Sequence, residues 1–380
     1  MSRIASKFYV LLRNTNYEPI ARFDSWIDLS YTKVVNGVGS YSFSIRADDN
    51  RVDLFDLDGL IEIYRSVPGM GISWYREFQA FHRLDNIDFQ ENGNQIYLSS
   101  GPTLLDFLAR TSINYSAATI KSYKLDASET VMKEYVEENC GASATVANGR
   151  EFDGVLRDFE VEADTGYGIE WEGDRSYENL LDIIKDIGKK SDLDFDVTWD
   201  LSSEKFIFQT FLEQRGLDRT SIGLDANTGK NAAGNYPTVF SMGRGNIKSM
   251  RWTSDRMSES NVISVLGEGD GATRIVVCRS KPTTNDSPWN RREISRPKTG
   301  YISEMETFGD ESLEELESKQ IISFAPLFQE RCMYGLHYGI GDRISVVFKE
   351  VIQHKRIIEV SNSVGKAENI SLKFSDIIKI

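Results

Sequence analysis

The chain has 380 residues, 40% of them hydrophobic and 27% charged, with 29 glycines and 8 prolines. That composition argues against collagen-like, low-complexity and disordered classes and suits two or three folded units of roughly 150 residues. The 44 basic and 58 acidic side chains leave a formal charge of −14, which disfavours nucleic-acid binding through a general cationic surface.

Arg3 and Lys7 precede an apolar run, Phe8 to Leu12, that Arg13 cuts. It falls short of the roughly 7–15 apolar residues of a signal peptide. No segment approaches the roughly 20 apolar residues of a membrane span, so no stable membrane insertion is expected. Three cysteines, Cys140, Cys278 and Cys332, form no CxxC pair, so the expectation is folding in a reducing cytoplasm without disulfides or zinc.

Residues 1–100 alternate with period two. Tyr41, Phe43 and Ile45 point one way, behind the turn signal Asn36-Gly37-Val38-Gly39. Ile61 to Tyr64, Glu77 to Leu84, Ile87 to Phe89 and, after a turn at Glu91-Asn92-Gly93-Asn94, Gln95 to Leu98 read as further short strands of an antiparallel barrel or sandwich. Residues 101–235 read as an α+β insertion. Leu104, Leu105 and Leu108 predict a helix over Thr103 to Arg110, and Asp126-Ala127-Ser128-Glu129 has the form of a capping box for a helix burying Val131, Met132, Tyr135 and Val136. A third helix starts near Ser176, buries Leu180, Leu181, Ile184 and Ile187, and ends before Gly188. Two strands follow, around Leu193 to Trp199 and Lys205 to Phe211. The turn-rich stretch Arg215 to Pro237 marks a boundary. Residues 236–380 read as a second β-rich domain, with strands at Ile247 to Trp252, Val262 to Leu266, Arg274 to Cys278, Arg343 to Phe348, Val351 to Val360 and Ile370 to Phe374. It carries a polar loop, Lys281 to Arg296, and one helix at 311–320. The predicted class is therefore α+β and β-rich: two antiparallel β-barrel-like domains flanking an α+β insertion.

No chemistry-bearing constellation emerges, and no catalytic, cofactor-binding or metal-binding residue is assigned. His82, His337 and His354 lack an orienting partner in the sequence. Asp192, Asp194 and Asp196 imitate the start of a calcium loop, but Val197 stands where its glycine belongs, so they read as a solvated strand face. Gly267-Glu268-Gly269-Asp270-Gly271 lacks the following helix of a phosphate-binding turn and reads as a β-turn. Glu137/Glu138 and Glu314/Glu315 are adjacent on helices and face different ways.

Three stretches in order, Val34 to Ile45, Leu104 to Arg110 and Asn261 to Gly271 with Arg274, resemble siphovirus tail-tip hub proteins, also called tail-associated proteins. The closing strands Gly341 to Val346, Ile357 to Val360 and Ile370 to Phe374 are similar to those of that family's last barrel. The resemblance implies a homotrimer whose two barrels per chain make a pseudo-sixfold ring at the virion's tail tip. Its implied partners are the tail tube, distal tail protein, tape measure protein and receptor-binding or fibre proteins, and DNA would pass its channel without specific binding. Relatives often continue into a hydrolase or receptor-binding module. This chain stops at Ile380, so no lytic or adhesive role of its own is expected. The alternatives are a peptidoglycan hydrolase using Glu170 or Asp174 beside Trp171, or a glycan-binding protein using Trp171, Trp199 or Trp289.

Overall fold

A computed structural model describes all residues except 1–5, 72, 90–92, 115–118, 120, 288, 328, 330–331, 349–350, 366–367 and 377–380. The turn expected at 91–94 therefore lies partly outside the described residues, as does Arg3. With 17% of its residues in helices and 43% in strands, the chain has the β-rich α+β class read from its sequence.

The alternating N-terminal sequence forms β1 (Lys7–Arg13), β2 (Pro19–Phe23), β3 (Asp28–Val34), β4 (Ser40–Arg46), β5 (Leu60–Ser66), β6 (Tyr75–Phe81), β7 (Leu84–Phe89) and β8 (Gln95–Pro102). A four-stranded antiparallel sheet has the order β2-β1-β5-β6, while β3, β4, β8 and β7 join a larger one. Val10, Leu12, Ile61, Ile63 and Phe78 from the first sheet share one core with Leu29, Tyr31, Phe43, Ile45 and Tyr97 from the second. Burial of such side chains stabilises each by roughly 1.5–3 kcal/mol. The turn between β3 and β4 demands its glycine: a Cβ on Gly39 would stand 2.1 Å from the carbonyl oxygen of Thr32.

The middle segment comprises α1 (Asp106–Ala109), β9 (Ser122–Ala127), α2 (Ser128–Asn139), β10 (Phe159–Val161), β11 (Glu170–Arg175), α3 (Leu180–Ser191), β12 (Asp194–Asp200) and β13 (Lys205–Phe211). The helix expected over Thr103 to Arg110 is a single turn. Asp126 does not cap the helix: it lies within β9 and its carboxylate accepts from the Ala127 amide, while the amides of Ser128 and Glu129 donate to the carbonyls of Ile169 (2.9 Å) and Tyr167 (3.0 Å). A neighbouring chain segment thus does what a side-chain cap would do, and Glu129 is free to turn inward. Leu180, Leu181, Ile184 and Ile187 are buried as predicted. The helix nevertheless passes Gly188 and ends on Asp192, which takes the left-handed conformation at φ 59°. Here the glycine serves packing, because a Cβ would meet the carbonyl oxygen of Leu193 at 2.7 Å.

The remaining elements are β14 (Asp218–Arg219), β15 (Val239–Ser241), β16 (Ile247–Asp255), β17 (Val262–Leu266), β18 (Val276–Ser280), β19 (Glu293–Pro297), α4 (Ile302–Glu315), β20 (Lys319–Pro326), β21 (Arg343–Phe348), β22 (Val351–Val364) and β23 (Glu368–Asp376). The helix predicted at 311–320 begins nine residues earlier and stops at Glu315, and 319–326 is strand. Its buried stripe, Met305, Gly309, Ser312 and Leu313, is interrupted for a sequence reader by Gly309 and Ser312. That glycine lets the helix lie close to Val265, whose side chain a Cβ would approach to 3.2 Å.

The chain divides into two compact units, residues 1–249 with 324–380, and residues 250–323. The smaller unit packs α4 on a three-stranded sheet, β18-β17-β19, around Ile263, Val265, Met305 and Leu313. In the larger unit the 14-residue strand β22 is the joint. One of its edges carries β21 along residues 351–356 and then β3 along residues 359–363, while β23 runs along the other edge. Strands from the first hundred residues and from the last forty therefore share one sheet. The turn-rich stretch 215–237 is fastened to it, since β14 and β15 both run parallel to β21.

A candidate assembly surface

A polar cluster lies under the joint between the N- and C-terminal strands. Glu77 of β6 accepts from Lys33 of β3 (3.1 Å) and from the Tyr334 hydroxyl (2.8 Å). Arg65 of β5 pairs with Glu368 of β23 (2.7 Å) and donates to the Tyr334 carbonyl (2.9 Å) and the Tyr75 hydroxyl (3.1 Å). Burial pushes the Glu77 carboxyl up, but Lys33, Arg65 and the two tyrosine hydroxyls outweigh it and hold Glu77 below the usual glutamate value. Glu62 of β5, fully buried, bridges Arg13 (2.9 Å) and Arg76 (3.0 Å). These contacts fix the register of strands that are distant in sequence.

Asp342 pins the stretch 215–237. Its carboxylate accepts from the amides of Leu217 (2.7 Å) and Gly339 (2.8 Å) and from the Arg219 guanidinium (3.1 Å). Burial raises its pKa despite these donors. Beyond the anchor, Leu217, Ile222, Leu224 and Tyr236 are exposed. An anchored stem with exposed apolar side chains is what a contact loop needs.

The second exposed feature is β7. It forms one end of the large sheet and, among the described residues, pairs only with β8, in unbroken register from Leu84↔Ser100 to Phe89↔Gln95. All six of its residues are exposed; Phe89 keeps 76% of its surface, and Leu84 and Ile87 about half of theirs. The exposed charges of Asp85 and Asp88 are its edge protection, with no lysine, proline or bulge within the strand.

The residues singled out in the sequence are dispersed. His82 is buried, with its Nδ1 at 2.9 Å from the Ser99 hydroxyl, and burial lowers its pKa. The amide of Met333 donates to Nδ1 of His337 (3.0 Å), whose pKa burial also lowers, and His354 lies 2.9 Å from Ser345 Oγ. The aspartates of 192–196 do not form one solvated face, since only Asp192 is exposed. Asp194 is buried and ion-paired with Arg356, accepts from the Arg215 amide, and takes a hydrogen bond from Asn36 Nδ2 at 2.9 Å. Asp196 pairs with Arg215. Residues 267–271 are not a tight β-turn but the first part of the longer connection from β17 to β18, which carries a short 3-10 helix at Gly271–Thr273 and Gly269 at φ 96°. Trp171 and Trp199 are core residues, Glu170 is exposed, Asp174 pairs with Lys121 at 2.6 Å, and only Trp289 of the three tryptophans stands in solvent, at 89% exposure. The structure brings none of these together, and no group of three potential metal ligands occurs among the described residues. Glu129 and the cluster around Arg65 are what sequence reading missed; only their placement in alternating or helical runs was visible.

The fold is that of phage tail proteins. It superposes on the prophage MuSo2 43 kDa tail protein from Shewanella oneidensis with a TM-score of 0.60 at 9% identity, covering 98% of each chain. For the tail protein from Neisseria meningitidis MC58 the TM-score is 0.56 at 11% identity, over 97% of this chain and 96% of that one. A chain of the Francisella PdpA-VgrG complex gives 0.52 at 11% identity, over 98% of this chain and 58% of that one. No curated protein matches the chain in sequence. The class this fold defines is that of phage tail and baseplate proteins. More particularly, the chain belongs to the Siphovirus ReqiPepy6 Gp37-like protein family, whose model matches residues 9–372.

Proposed function

We propose that this chain is the hub of a siphovirus tail tip. Three copies form a ring that joins the sixfold tail tube and distal tail protein to the parts below, with DNA leaving through its centre. The observation that carries the reading is whole-length similarity: the family match spans residues 9–372, and the superposition on the Shewanella tail protein covers 98% of both chains. The fusion of early and late strands in one sheet through β22 supports it, because a ring subunit must transmit load without hinging between its halves. The role is structural, not enzymatic. The polar connections at 215–237 and 281–292, the latter shorter than the sequence suggested because β19 takes up Glu293–Pro297, are the contacts for neighbouring tail proteins and for opening of the channel, and the virion is the site of action after synthesis in the host cytoplasm. A density map of the tail tip tests the assignment: three copies around the DNA path are expected, and a chain absent from virions overturns it. Clearing of peptidoglycan by purified protein, lost on Glu170→Gln, overturns the non-enzymatic role.

A further inference from the structure

Strand β7 lies on the rim of a core that it does not help to close. In the register of β4, β8 and β7, Ile45, Tyr97 and Ile87 form one cross-strand row on the core face, and their exposures are 3%, 2% and 48%. Phe43 and Ser99 in the next row are fully buried, whereas Asp85 beside them is exposed. Burial therefore stops at β8. Side chains alternate along a strand, so Asp85, Ile87 and Phe89 overhang the core face while Leu84, Asn86 and Asp88 stand on the other. Among the described residues β7 has no strand partner beyond β8, so its outer row of backbone groups is open to pairing. Asp85 and Asp88 form no ion pair among the described residues; Arg83, the nearest cation in sequence, pairs with Asp58. The two acids decide what can pair here. A second β7 in full antiparallel register would set Asp85 opposite Asp88 twice, and like charges directly opposite are destabilising. A cationic strand gains at both positions.

We propose that β7 is a docking edge for an extended, basic segment of another protein, which adds to the sheet as a further antiparallel strand. Strand addition draws affinity from main-chain hydrogen bonds and specificity from alternate side chains. The occupant's side chains follow from the register: cations opposite Asp85 and Asp88, and apolar side chains opposite Leu84, Ile87 and Phe89. The same two charges thus protect the edge against copies of this chain and select a partner of opposite sign. One copy offers the whole edge, so the docking stands apart from the ring.

The probe is the acetylated and amidated peptide Val-Lys-Val-Thr-Arg-Val, titrated to millimolar concentration into the full chain while the backbone amides of β7 are followed by NMR. Antiparallel addition sets its Lys opposite Asp88 and its Arg opposite Asp85. It is expected to perturb the β7 amides and to bind on the order of tenfold more tightly than Val-Glu-Val-Thr-Glu-Val, because both cross-strand charge pairs change from attraction to repulsion. Asp85→Lys with Asp88→Lys is expected to reverse that preference, which a misfolded variant could not do. The basic peptide N-methylated at alternate amides along its pairing edge keeps its charges and is expected to lose binding. Equal binding of the acidic and basic peptides, undiminished binding of the methylated one, or β7 amides that stay unmoved at millimolar basic peptide overturns the proposal. So does self-association of the wild-type chain that Asp85→Lys with Asp88→Lys abolishes, because a second copy would then be the occupant.

Discussion

Arg65 shows how much of this fold hangs on single buried charges. Its side chain is fully buried between β5, β23 and residue 334, and it supplies the positive charge for Glu368 and, at longer range, Glu77. A buried pair adds little net stability over an apolar pair, but removing one member leaves the other charge uncompensated. Arg65→Met is therefore expected to destabilise the chain by roughly 3–5 kcal/mol, read as a shift of the denaturant midpoint. A shift below about 1 kcal/mol, the worth of an exposed pair, would show the cluster to be solvated.

Glu129 is the counterpart in the middle segment. Burial opposes its charge, but Lys133 at 2.6 Å, Thr165, the Tyr167 amide and Thr210 hold its pKa at about 2, below the ordinary 4.5. A folded value below the unfolded one means that the stabilisation is complete above pH 4.5 and is lost as pH falls through about 2. Glu129→Gln is expected to be less stable at neutral pH and to lose less stability across that acid interval. Parallel pH–stability curves for the two proteins would contradict this account.

Among the elements, α4 best separates what the sequence shows from what it hides. Among the described residues, the core cluster between α4 and its sheet has four buried apolar side chains, two of them from α4. Leu313→Ala is expected to cost about 2–5 kcal/mol there and to open residues 250–323 to protease while 1–249 stays resistant. Uniform resistance would mean that the unit draws its stability from elsewhere. Periodicity did reveal α3 and β4, because each has an uninterrupted apolar stripe or alternation. It failed for α4 because Gly309, chosen for close approach, reads as a break. It failed for β9, whose Tyr123 and Leu125 are exposed, and for β19, hidden in a polar run. Alternation assigns a residue to a face of its strand but not to a partner strand, so the pairing of β3 with β22 was illegible. So was the burial of Asp194, whose counter-ion Arg356 lies 162 residues away.

At the scale of the whole molecule the charge of −14 acts in two ways. Copies that assemble must overcome mutual repulsion, which reaches roughly 30 Å at 0.01 M salt but only about 8 Å at 0.15 M, while contact pairs at a seam are less screened. Assembly is therefore expected to tighten between those salt concentrations. The same surplus of negative charge bears on DNA. A ring through which a polyanion must pass gains nothing from holding it, and a net charge of −14 opposes the general phosphate contacts that supply nearly all non-specific affinity. The purified protein at about 10 μM is expected not to retard duplex DNA in about 50 mM salt, a condition in which basic DNA-binding proteins of ordinary non-specific affinity do so. Retardation that disappears with added salt would place a cationic patch along the path of the DNA and remove the physical reason for reading the acidity as that of a conduit.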